Sequence, residues 1–325
     1  MKKNIAIVAG GDSSEVVVSL KSAAGLYSYM DKELYNIYIV TIIGKIWKVE
    51  WSNTKKIVID KNDFSFTQNG KKTIFDFAYI TIHGTPGENG ILQGYFELIG
   101  LPYSCCGVLT AAITFNKFTC NTYLRSFGVK VAESLVLRAG QTVSDEDVAQ
   151  KIGFPCFIKP NVGGSSFGVT KVKSIDQVQS AIASAFAEGE EVMIEAFLEG
   201  IEITCGIYKT KIKSQCLPVT EVVSENEFFD YDAKYKGQVQ EITPARISNL
   251  LTERVQKLTS AIYDILGCKG IVRIDYIISE GDIINLLEVN TTPGMTVTSF
   301  IPQQVAAAGL DIKDVMTEII ENELS

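Results

Sequence analysis

Four polar side chains with the chemistry of a metal and phosphate site lie in two short apolar runs between residues 270 and 295. Arg273 and Asp275 alternate along the first run, and Glu288 and Asn290 alternate along the second. A two-residue spacing puts the members of each pair on one face of a strand. Two carboxylates and an amide oxygen suit Mg2+, which completes its shell with water and nucleotide phosphates. The pattern indicates a site for Mg2+ and ATP, with a solvent-facing salt bridge as the alternative.

A turn signal, Ser-Glu-Gly-Asp, joins the two runs and predicts a β-hairpin. If Ile278 pairs with Ile283, the antiparallel register sets Arg273 opposite Glu288, with Asp275 diagonal to that carboxylate. All four polar groups then share a face of the hairpin. A slip of one residue would move them apart, because neighbouring positions of a strand face opposite sides.

Further candidate groups lie in or beside Gly-rich turns. The turn at 163–168, Gly-Gly-Ser-Ser-Phe-Gly, follows Lys159 and has small residues whose backbone can close over phosphates. It differs from a Walker A loop, in which the lysine follows the glycines and opens a helix. Lys117 and Lys234 are candidates for phosphate contacts, although a single lysine is by default a solvated charge. Gly294, just after the second run, offers a backbone N–H to an oxyanion.

A carboxylate and the single histidine complete the candidate site. Glu15 follows Gly10-Gly11 at the start of a predicted helix, where it either receives a substrate ammonium group or favours the helix dipole. His83 lies in a Gly-rich loop after a strand, where a neutral imidazole can donate to an oxyanion. The segment 195–198 with Glu202 ends a strand and suits an adenosine, but taken alone it is unspecific.

Composition restricts the classes of function. The chain has 325 residues, 46% of them hydrophobic and 21% charged, which is typical of a globular protein of two or three domains. A net charge of −8 argues against binding of nucleic acid. No apolar stretch reaches the roughly 18 residues of a membrane span, and the apolar run at the start is too short for a signal peptide. The seven cysteines form no CxxC pair, which indicates reduced thiols in a cytoplasmic protein.

The candidate residues must be positioned by alternating strands and helices. The start of the chain predicts a βαβ unit, in which a helix-compatible segment at 19–30 lies between apolar runs at 4–9 and 35–43. A further strand is predicted at 75–82. A domain boundary is expected near residue 105, followed by a helix over 107–127. Loops at the carboxyl ends of such strands usually bind ligands.

The rest of the chain continues this alternation. A capping box of Ser174 and Gln177 opens a predicted helix over 175–188. A second predicted helix covers 250–266, and a third ends the chain. The predicted strands outside the hairpin are 154–160, 169–173, 192–197, 203–208 and 216–223.

Together these motifs closely resemble the D-alanine–D-alanine ligase family of ATP-grasp enzymes. The resemblance covers nearly the whole chain in order and is more specific than any one motif. It is carried by Glu15 and five segments: HGTPGENGILQGYFELIGLPY (83–103), FIKPNVGGSSFGVTKV (157–172), FFDYDAKY (228–235), RIDYI (273–277) and LLEVNTTPGMT (286–296).

The resemblance implies a three-domain α/β ATP-grasp fold. Its parts are an N-terminal Rossmann-like domain (1–105), a central subdomain with the Gly-rich loop (106–198) and a C-terminal subdomain with the Mg2+ and oxyanion sites (199–325). The implied reaction joins two D-alanines through an acyl phosphate and a tetrahedral intermediate to give ADP, phosphate and D-Ala-D-Ala for peptidoglycan synthesis. ATP and two Mg2+ ions, which Mn2+ can replace, are the implied cofactors. A cytoplasmic homodimer with no nucleic-acid or membrane partner is expected.

The resemblance also implies roles for single residues. Arg273 and the N–H of Gly294 would stabilise the oxyanion, while Glu15 would bind the ammonium of the first D-Ala near His83. Ser165 and Tyr235 would link Glu15 to a loop at 231–240 that closes over the site. The carboxylate and methyl group of the second D-Ala would meet Ser299 and Phe300. The metal ligands would be Asp275, Glu288 and Asn290. The nucleotide would contact Lys117, Lys159, Ser166, Glu195, Ala196, Leu198, Glu202, Phe228 and Lys234.

The chain departs from the family pattern at three points. Val16 follows Glu15 where the family often has a histidine, and Val162-Gly163 replaces a common Arg-Glu pair. Phe300 stands where a leucine often packs against the second substrate, so it bears on the choice of acceptor. Tyr235 favours D-Ala, since related D-lactate ligases replace this tyrosine, and D-Ser or D-lactate as acceptor stays the minor alternative.

Rival classes of function make separate predictions. A nicotinamide-dependent reductase would bind its cofactor after the first strand, but the chain lacks the GxGxxG fingerprint there. An ATP-binding regulatory module would show no substrate-dependent turnover. Other carboxylate–amine ligases share the ATP machinery, and it is Glu15 and the loop HGTPGENG that favour D-Ala.

Overall fold

A computed structural model of the chain describes residues 2–51, 55–163, 168–224 and 239–325. Within these ranges, none of the helices has the length and apolar character needed to cross a membrane. The described residues form three successive units, each built on its own sheet. The alternation predicted from the sequence is therefore confirmed.

The N-terminal unit is a mixed sheet with helices on its two faces. Its helices are α1 (Val16–Tyr29) and α2 (Ile91–Ile99), and its strands are β1 (Lys3–Gly10), β2 (Tyr35–Ile43), β3 (Ile46–Glu50), β4 (Lys56–Val58), β5 (Ser65–Gln68), β6 (Lys71–Ile74) and β7 (Phe77–Ile80). The main sheet has the order β4-β3-β2-β1-β7, and β5 pairs with β6 separately. Strand β1 is parallel to both β2 and β7, so the βαβ prediction is confirmed.

Strand β1 reads as a continuous apolar run because both of its faces are buried. Ile5 and Ile7 pack in the same cluster as Leu26 of α1. The intervening Ala6 and Val8 pack with the aromatic side chains below the other face. Strands buried on both faces lose the apolar–polar alternation of a half-exposed sheet. The carboxyl ends of β1 and β7 lie side by side, which brings the loops after them together.

The central unit contains α3 (Val108–Phe115), α4 (Lys117–Arg125), β8 (Ser134–Arg138), α5 (Asp145–Lys151), β9 (Cys156–Pro160), β10 (Thr170–Val172), α6 (Val178–Phe186) and β11 (Glu191–Ala196). Its antiparallel sheet has the order β10-β9-β11-β8. The single helix predicted over 107–127 is wrong, because Asn116 is extended and its side chain accepts from Thr119 N at 2.9 Å. Asparagine is a favoured N-cap, so it starts a new helix here.

The predicted start of the helix after Ser174 is correct, but its capping box is not formed. A 3-10 turn, Ile175–Gln177, precedes α6. The Gln177 side chain accepts from Lys173 N at 2.8 Å, and the Ser174 side chain makes no capping bond to the helix. Because the first turn is a 3-10 turn, the Gln177 side chain reaches the N–H of Lys173 instead of the N–H of Ser174 that a capping box requires.

The C-terminal unit contains β12 (Ile201–Lys209), β13 (Ser214–Cys216), β14 (Thr220–Ser224), β15 (Val239–Ile242), α7 (Asn249–Ile265), β16 (Ile271–Ser279), β17 (Ile283–Asn290), α8 (Phe300–Ala307) and α9 (Ile312–Leu324). The sheet order is β15-β14-β12-β16-β17, with β13 also paired to β12. The strand predicted over 216–223 is divided in two, since Leu217 leaves the ladder and donates to Gly206 O at 2.8 Å. The terminal helix is likewise divided into α8 and α9.

Candidate active site

The hairpin β16–β17 brings the four polar residues together, but in a register different from the predicted one. Ile278 pairs with Ile284 rather than Ile283, and a bulge between Asp275 and Tyr276 shifts the ladder by one more residue. Asp275 therefore lies opposite Glu288, and Arg273 lies opposite Asn290. The predicted pairing of Arg273 with Glu288 is wrong. The shared face is nevertheless retained, because the bulge restores the alternation that the shifted turn would have reversed.

Asp275 is the centre of this polar cluster. Its Oδ1 accepts from Thr204 Oγ1 at 2.6 Å and from Arg273 Nε at 2.9 Å. Its Oδ2 accepts from Arg273 Nη2 at 2.8 Å and from Asn290 Nδ2 at 2.9 Å. The Asn290 amide also lies 3.4 Å from Glu288 Oε1. The arginine fork meets the carboxylate through two bonds, a geometry that fixes its direction as well as its charge.

Arg273 keeps its charge although little of its side chain is exposed. Burial disfavours the guanidinium, but the charges of Asp275, Glu288 and Glu88 outweigh it and hold the pKa of Arg273 above its ordinary value. The guanidinium carbon lies 5.2 Å from the centre of the Phe300 ring. A cation over an aromatic face is attracted to it, so Phe300 helps to position the arginine.

The donor set of this cluster fits a divalent cation. Asp275 and Glu288 supply carboxylate oxygens and Asn290 an amide oxygen, all hard ligands. Two carboxylates are the usual number for a Mg2+ ion that also binds nucleotide phosphates. Lys117 Nζ lies 3.9 Å from Glu288 Oε2 and donates to Gly163 O at 2.7 Å, next to the Gly-rich turn.

The predicted nucleotide contacts divide into two groups. Lys159 of β9 and Glu195 of β11 form an ion pair of 2.6 Å, with 16% and 5% of their side chains exposed. Asn121 Nδ2 lies 3.4 Å from the second oxygen of Glu195. The N–H groups of Ala196 and Phe197 donate to Glu133 O and Pro155 O, so they are engaged within the sheet rather than presented to an adenine.

Two other predicted contacts lie just beyond this strand. Leu198 follows β11 outside regular structure, and Glu202 lies in β12 between Val222 and Ile277 of the neighbouring strands. Five predicted site residues fall outside the described residues, as does most of the loop at 231–240. These five are Ser165, Ser166, Phe228, Lys234 and Tyr235.

The loops after β1 and β7 are bonded to each other, which places the turn before Glu15 against the loop that carries His83. Ser13 Oγ donates to His83 O at 2.9 Å, and Asp12 N donates to Thr85 O at 2.9 Å. Where the two loops meet, residue 11 must be a glycine, since its φ is +101° and a Cβ at this position would lie 2.7 Å from the Ile82 side chain. The turn before Glu15 is thereby fixed against the loop that carries His83.

His83 is 8% exposed, and in the described part of the chain its Nε2 has no hydrogen-bond partner. A buried ring nitrogen without a partner is uncommon in a native protein, so this nitrogen is available to a ligand.

The segment 291–300 closes the site from the C-terminal side. A Cβ on Gly294 would lie 3.0 Å from Ser299 Oγ, so the glycine allows a close approach. Ser299 Oγ accepts from Thr296 N at 3.0 Å and lies 2.7 Å from Thr296 Oγ1. Ser299 is the N-cap residue of α8. A helix N-terminus favours a negative group, as the predicted contact with a substrate carboxylate requires.

Sequence reasoning missed five residues that the fold brings to this site: Thr204, Glu88, Thr292, Glu241 and Gln303. Thr204, on a separate strand, had no signal in its local sequence. Glu88 lay within the quoted motif HGTPGENG and was left without a role. It accepts from Thr292 Oγ1 at 2.6 Å. Glu241 bonds to Gln303 at 2.5 Å, and burial raises its pKa while Arg273 opposes that rise.

Comparison with protein families matches two parts of the chain. Residues 4–106 match the model described as the D-ala D-ala ligase N-terminus, and residues 123–321 match the model of the D-ala D-ala ligase C-terminus. The chain belongs to the D-alanine–D-alanine ligase family. The family predicted from Glu15 and the five segments is thereby confirmed.

Individual members of the D-alanine–D-alanine ligase family agree along the whole chain. A D-alanine–D-alanine ligase of Bacteroides fragilis is 72% identical over 323 residues, 99% of this chain and 100% of the relative. The structure of a VanG D-Ala:D-Ser ligase from Enterococcus faecalis is 28% identical, with a TM-score of 0.87 over 99% of this chain and 100% of the other. A Bacillus anthracis D-alanine–D-alanine ligase solved with ATP is 30% identical, with a TM-score of 0.79 over 99% and 97%.

These relatives confirm several predictions at once. The three-domain ATP-grasp α/β fold and the class of ATP-dependent carboxylate–amine ligase are those of the D-alanine–D-alanine ligase family. Joining of two D-alanines for peptidoglycan synthesis is the activity of that family. The reductase and the regulatory module are excluded by the same finding, since family members match from end to end.

Proposed function

We propose that the chain joins two D-alanines, with ATP as the energy source, in the cleft between the hairpin β16–β17 and the loops after β1 and β7. One observation carries this proposal: Glu88 and Thr292 connect the loop of His83 to the segment after β17, the strand that pairs with the strand of Arg273. A metal and phosphate site alone suits any carboxylate–amine ligase of this fold. The adjoining carboxylate and imidazole suit an amino-acid donor.

The first step forms an acyl phosphate. A carboxylate oxygen of the first D-Ala attacks the γ-phosphorus of ATP, the bond to the bridging oxygen breaks, and ADP leaves. Glu15 binds the ammonium group of this D-Ala, and His83, whose Nε2 has no partner among the described residues, lies near the same substrate. Lys117, Lys159 and Lys234 balance the phosphate charge. Phosphoryl transfer depends on alignment and charge neutralisation, which these groups supply without covalent catalysis.

The second step forms the peptide bond. The amine of the second D-Ala attacks the acyl carbon, and the tetrahedral oxyanion collapses to expel phosphate, which takes the proton that the nitrogen loses. Arg273 and the N–H of Gly294 stabilise the oxyanion. Ser299 binds the carboxylate of the second D-Ala, and Phe300 packs against its methyl group. The contact between Phe300 and the guanidinium of Arg273 supports this arrangement.

Two Mg2+ ions, or Mn2+ in their place, would be held by Asp275, Glu288 and Asn290. When bound, they supply charge neutralisation on the phosphates. Ser165 and Tyr235 would link Glu15 to the loop at 231–240 and exclude water from the acyl phosphate. The remaining contacts to the nucleotide would come from Ser166, Glu195, Ala196, Leu198, Glu202 and Phe228.

We further propose that the chain divides at 105/106 and 198/199 and acts as a homodimer in the cytoplasm. The division is supported by the three separate sheets. Cytoplasmic location is supported by the need for ATP and by seven cysteines without a disulfide. The dimer is supported by apolar side chains exposed on the adjacent helices α2 and α3, with Leu98 88% and Leu109 72% exposed.

The function is tested by measuring phosphate release from ATP and Mg2+ with D-Ala, L-Ala, D-Ser or D-lactate, with the product identified by mass. Release that depends on D-Ala, together with the mass of D-Ala-D-Ala, is the expected result. A mixed product with D-Ser or D-lactate would reassign the acceptor near Phe300. No release with any substrate would contradict the proposal. Chelation with EDTA should stop release, and added Mg2+ or Mn2+ should restore it.

A further inference from the structure

Glu88 connects two loops that belong to different units of the fold. Its Oε1 accepts from Thr292 Oγ1 at 2.6 Å, and its Oε2 accepts from Gly84 N at 2.7 Å. Gly84 follows His83 in the N-terminal unit, whereas Thr292 lies between the end of β17 and Gly294 in the C-terminal unit. One carboxylate therefore joins the predicted site of the first D-Ala to the predicted oxyanion donor.

Each of the two oxygens of Glu88 accepts one hydrogen bond. Among side chains of this shape, only a carboxylate offers two acceptor oxygens. Thr292 Oγ1 also lies 3.4 Å from the carbonyl oxygen of Ile82, so both partners of this hydroxyl belong to the N-terminal unit. The Glu88 backbone N–H closes back on Gly84 O at 2.8 Å. The loop from 84 to 88 is thus a closed turn, and Thr292 is its link to the other unit.

Glu88 also interacts electrostatically with the charged groups of the site. Burial raises its pKa, whereas His83 and the hydrogen bonds from Thr292 and Gly84 act in the opposite direction. Glu88 in turn helps to hold the pKa of Arg273 above its ordinary value. The same side chain therefore meets the His83 loop through Gly84 and the segment before Gly294 through Thr292.

We propose that Glu88 is a positioning residue that couples the site of the first D-Ala to the oxyanion site through Thr292. The carboxylate does not touch the reacting atoms. It holds the loop of His83 and the segment around Gly294 at a fixed separation, so that a bound donor lies within reach of the oxyanion donors. This inference rests on the proposed function, because it assigns the two loops to the two halves of the ligation reaction.

The test uses three variants of the coupled pair in the full chain. Thr292→Val removes the hydroxyl and keeps the shape, Thr292→Ser keeps the hydroxyl, and Glu88→Gln replaces one acceptor by a donor. The matched control is Tyr35→Phe, which removes another hydroxyl-to-carboxylate bond between the units: Tyr35 OH donates to Glu321 at 2.6 Å, away from the site. Initial rates as a function of D-Ala concentration separate the two KM values, and ATP is varied independently.

Thr292→Val and Glu88→Gln should each raise the KM for the first D-Ala by about tenfold to a hundredfold, the range expected for a lost hydrogen bond to a charged group. The KM for ATP should not change. The double variant should be no worse than the worse single variant, because both substitutions break the same contact. Thr292→Ser and Tyr35→Phe should behave as the wild type.

Three results would overturn the coupling. These are additive effects in the double variant, a Thr292→Ser enzyme as weak as Thr292→Val, or a fall in kcat that only follows the folded fraction while every KM stays constant. Calorimetric titration with D-Ala provides a readout without turnover. If the wild type binds D-Ala but makes no dipeptide, the proposed function fails. The D-Ala affinities of the single and double variants, measured by calorimetry, then still decide the role of Glu88.

Discussion

Arg273 shows how single side chains prepare this site for a negative charge. Its fork is bound twice by Asp275, and its carbon lies 5.2 Å from the centre of the Phe300 ring, so the position of the guanidinium is set before a substrate arrives. A preorganised donor stabilises a transition-state charge better than one that must turn on reaction, since reorganisation costs free energy. The nearby carboxylates keep the arginine charged.

Arg273→Ala should lower kcat by about a hundredfold or more, the effect of removing one oxyanion donor. The affinity for ATP, measured by calorimetry, should change by only a few fold. Arg273→Lys is the matched control, which keeps the charge but loses the two-bond geometry with Asp275, so intermediate activity is expected. Turnover like that of the wild type in Arg273→Ala would remove the arginine from the oxyanion site.

Helix α1 shows how an element is shaped by the segment that crosses it. Met295 O comes so close to Gly25 that a Cβ there would lie 2.2 Å from it, and Met295 N donates to Ser22 of the same helix at 3.2 Å. The segment that carries Gly294 thus rests directly on the backbone of α1. A glycine inside a helix costs roughly 1 kcal/mol relative to alanine, so its presence here follows from this contact rather than from helix stability.

Gly25→Ala should lower both the urea midpoint and kcat, because the methyl group must displace Met295 and with it the oxyanion segment. Gly94→Ala in α2 is the matched control, since its Cβ would meet only Val108, at 3.7 Å. That substitution should raise the free energy of unfolding by up to about 1 kcal/mol and leave kcat unchanged. If both variants behave alike, the contact between α1 and Met295 does not position the site.

Glu191 joins β11 to the start of α4, the helix that carries Lys117. It accepts from Asn161 at 2.7 Å, Asn116 at 3.0 Å and Arg138 at 2.9 Å. The bond from Asn161 is the main reason that the pKa of Glu191 is lowered, with Arg138 and Asn116 adding to it against the effect of burial. A carboxyl with a lowered pKa stabilises the fold above its unfolded pKa and loses this contribution as the pH falls through the folded value.

Glu191→Gln should therefore reduce the free energy of unfolding by roughly 1–2 kcal/mol at pH 7, the value of hydrogen bonds to a charged group. The difference from the wild type should narrow as the pH falls below the unfolded value of about 4.3 and through the lower folded value, below which both chains carry a neutral group. Urea unfolding at several pH values measures this change. The neighbouring, exposed Glu190→Gln serves as control and should show no such trend; a difference for Glu191→Gln that stays constant with pH would contradict the account.

The N-terminal and C-terminal units of the molecule are not independent bodies. Ile5 and Ile7 of β1 share one apolar cluster with Ile301 of α8 and Ile319 of α9, so the first and last elements of the chain bury each other. This packing brings the loops after β1 and β7 against the segment after β17. The catalytic cleft is thus a product of the fold as a whole.

The exposed apolar face of α2 and α3 makes a prediction about assembly. The wild type should have the mass of a dimer by light scattering, and the double variant Leu98→Glu/Leu109→Glu should have the mass of a monomer, because two buried charges oppose an apolar contact. Ile212→Glu is the matched control, at a position 97% exposed on another unit. A monomeric wild type, or a dimer that survives the double substitution, would contradict the proposed interface.

Local sequence determined the elements of this protein and the chemistry of its site. Strand β2 begins and ends where its apolar run does, and the alternation of Arg273 with Asp275 on β16 put both on one face, because these signals depend on residues a few positions apart. Local sequence also contained the family motifs. It did not determine the break at Asn116, where a side-chain cap outweighs a continuous helical pattern.

Tertiary structure alone decided the register and the contacts between units. The bulge beside Asp275 pairs it with Glu288, and the turn signal contained no information about that bulge. Glu88 and Thr292 are 204 positions apart in the chain, and Thr204 reaches Asp275 from another strand. Such contacts follow from how complete sheets and helices pack, so no short stretch of sequence specifies them. The four polar residues of the hairpin were therefore readable from the chain, whereas their register and their contacts with other units required the fold.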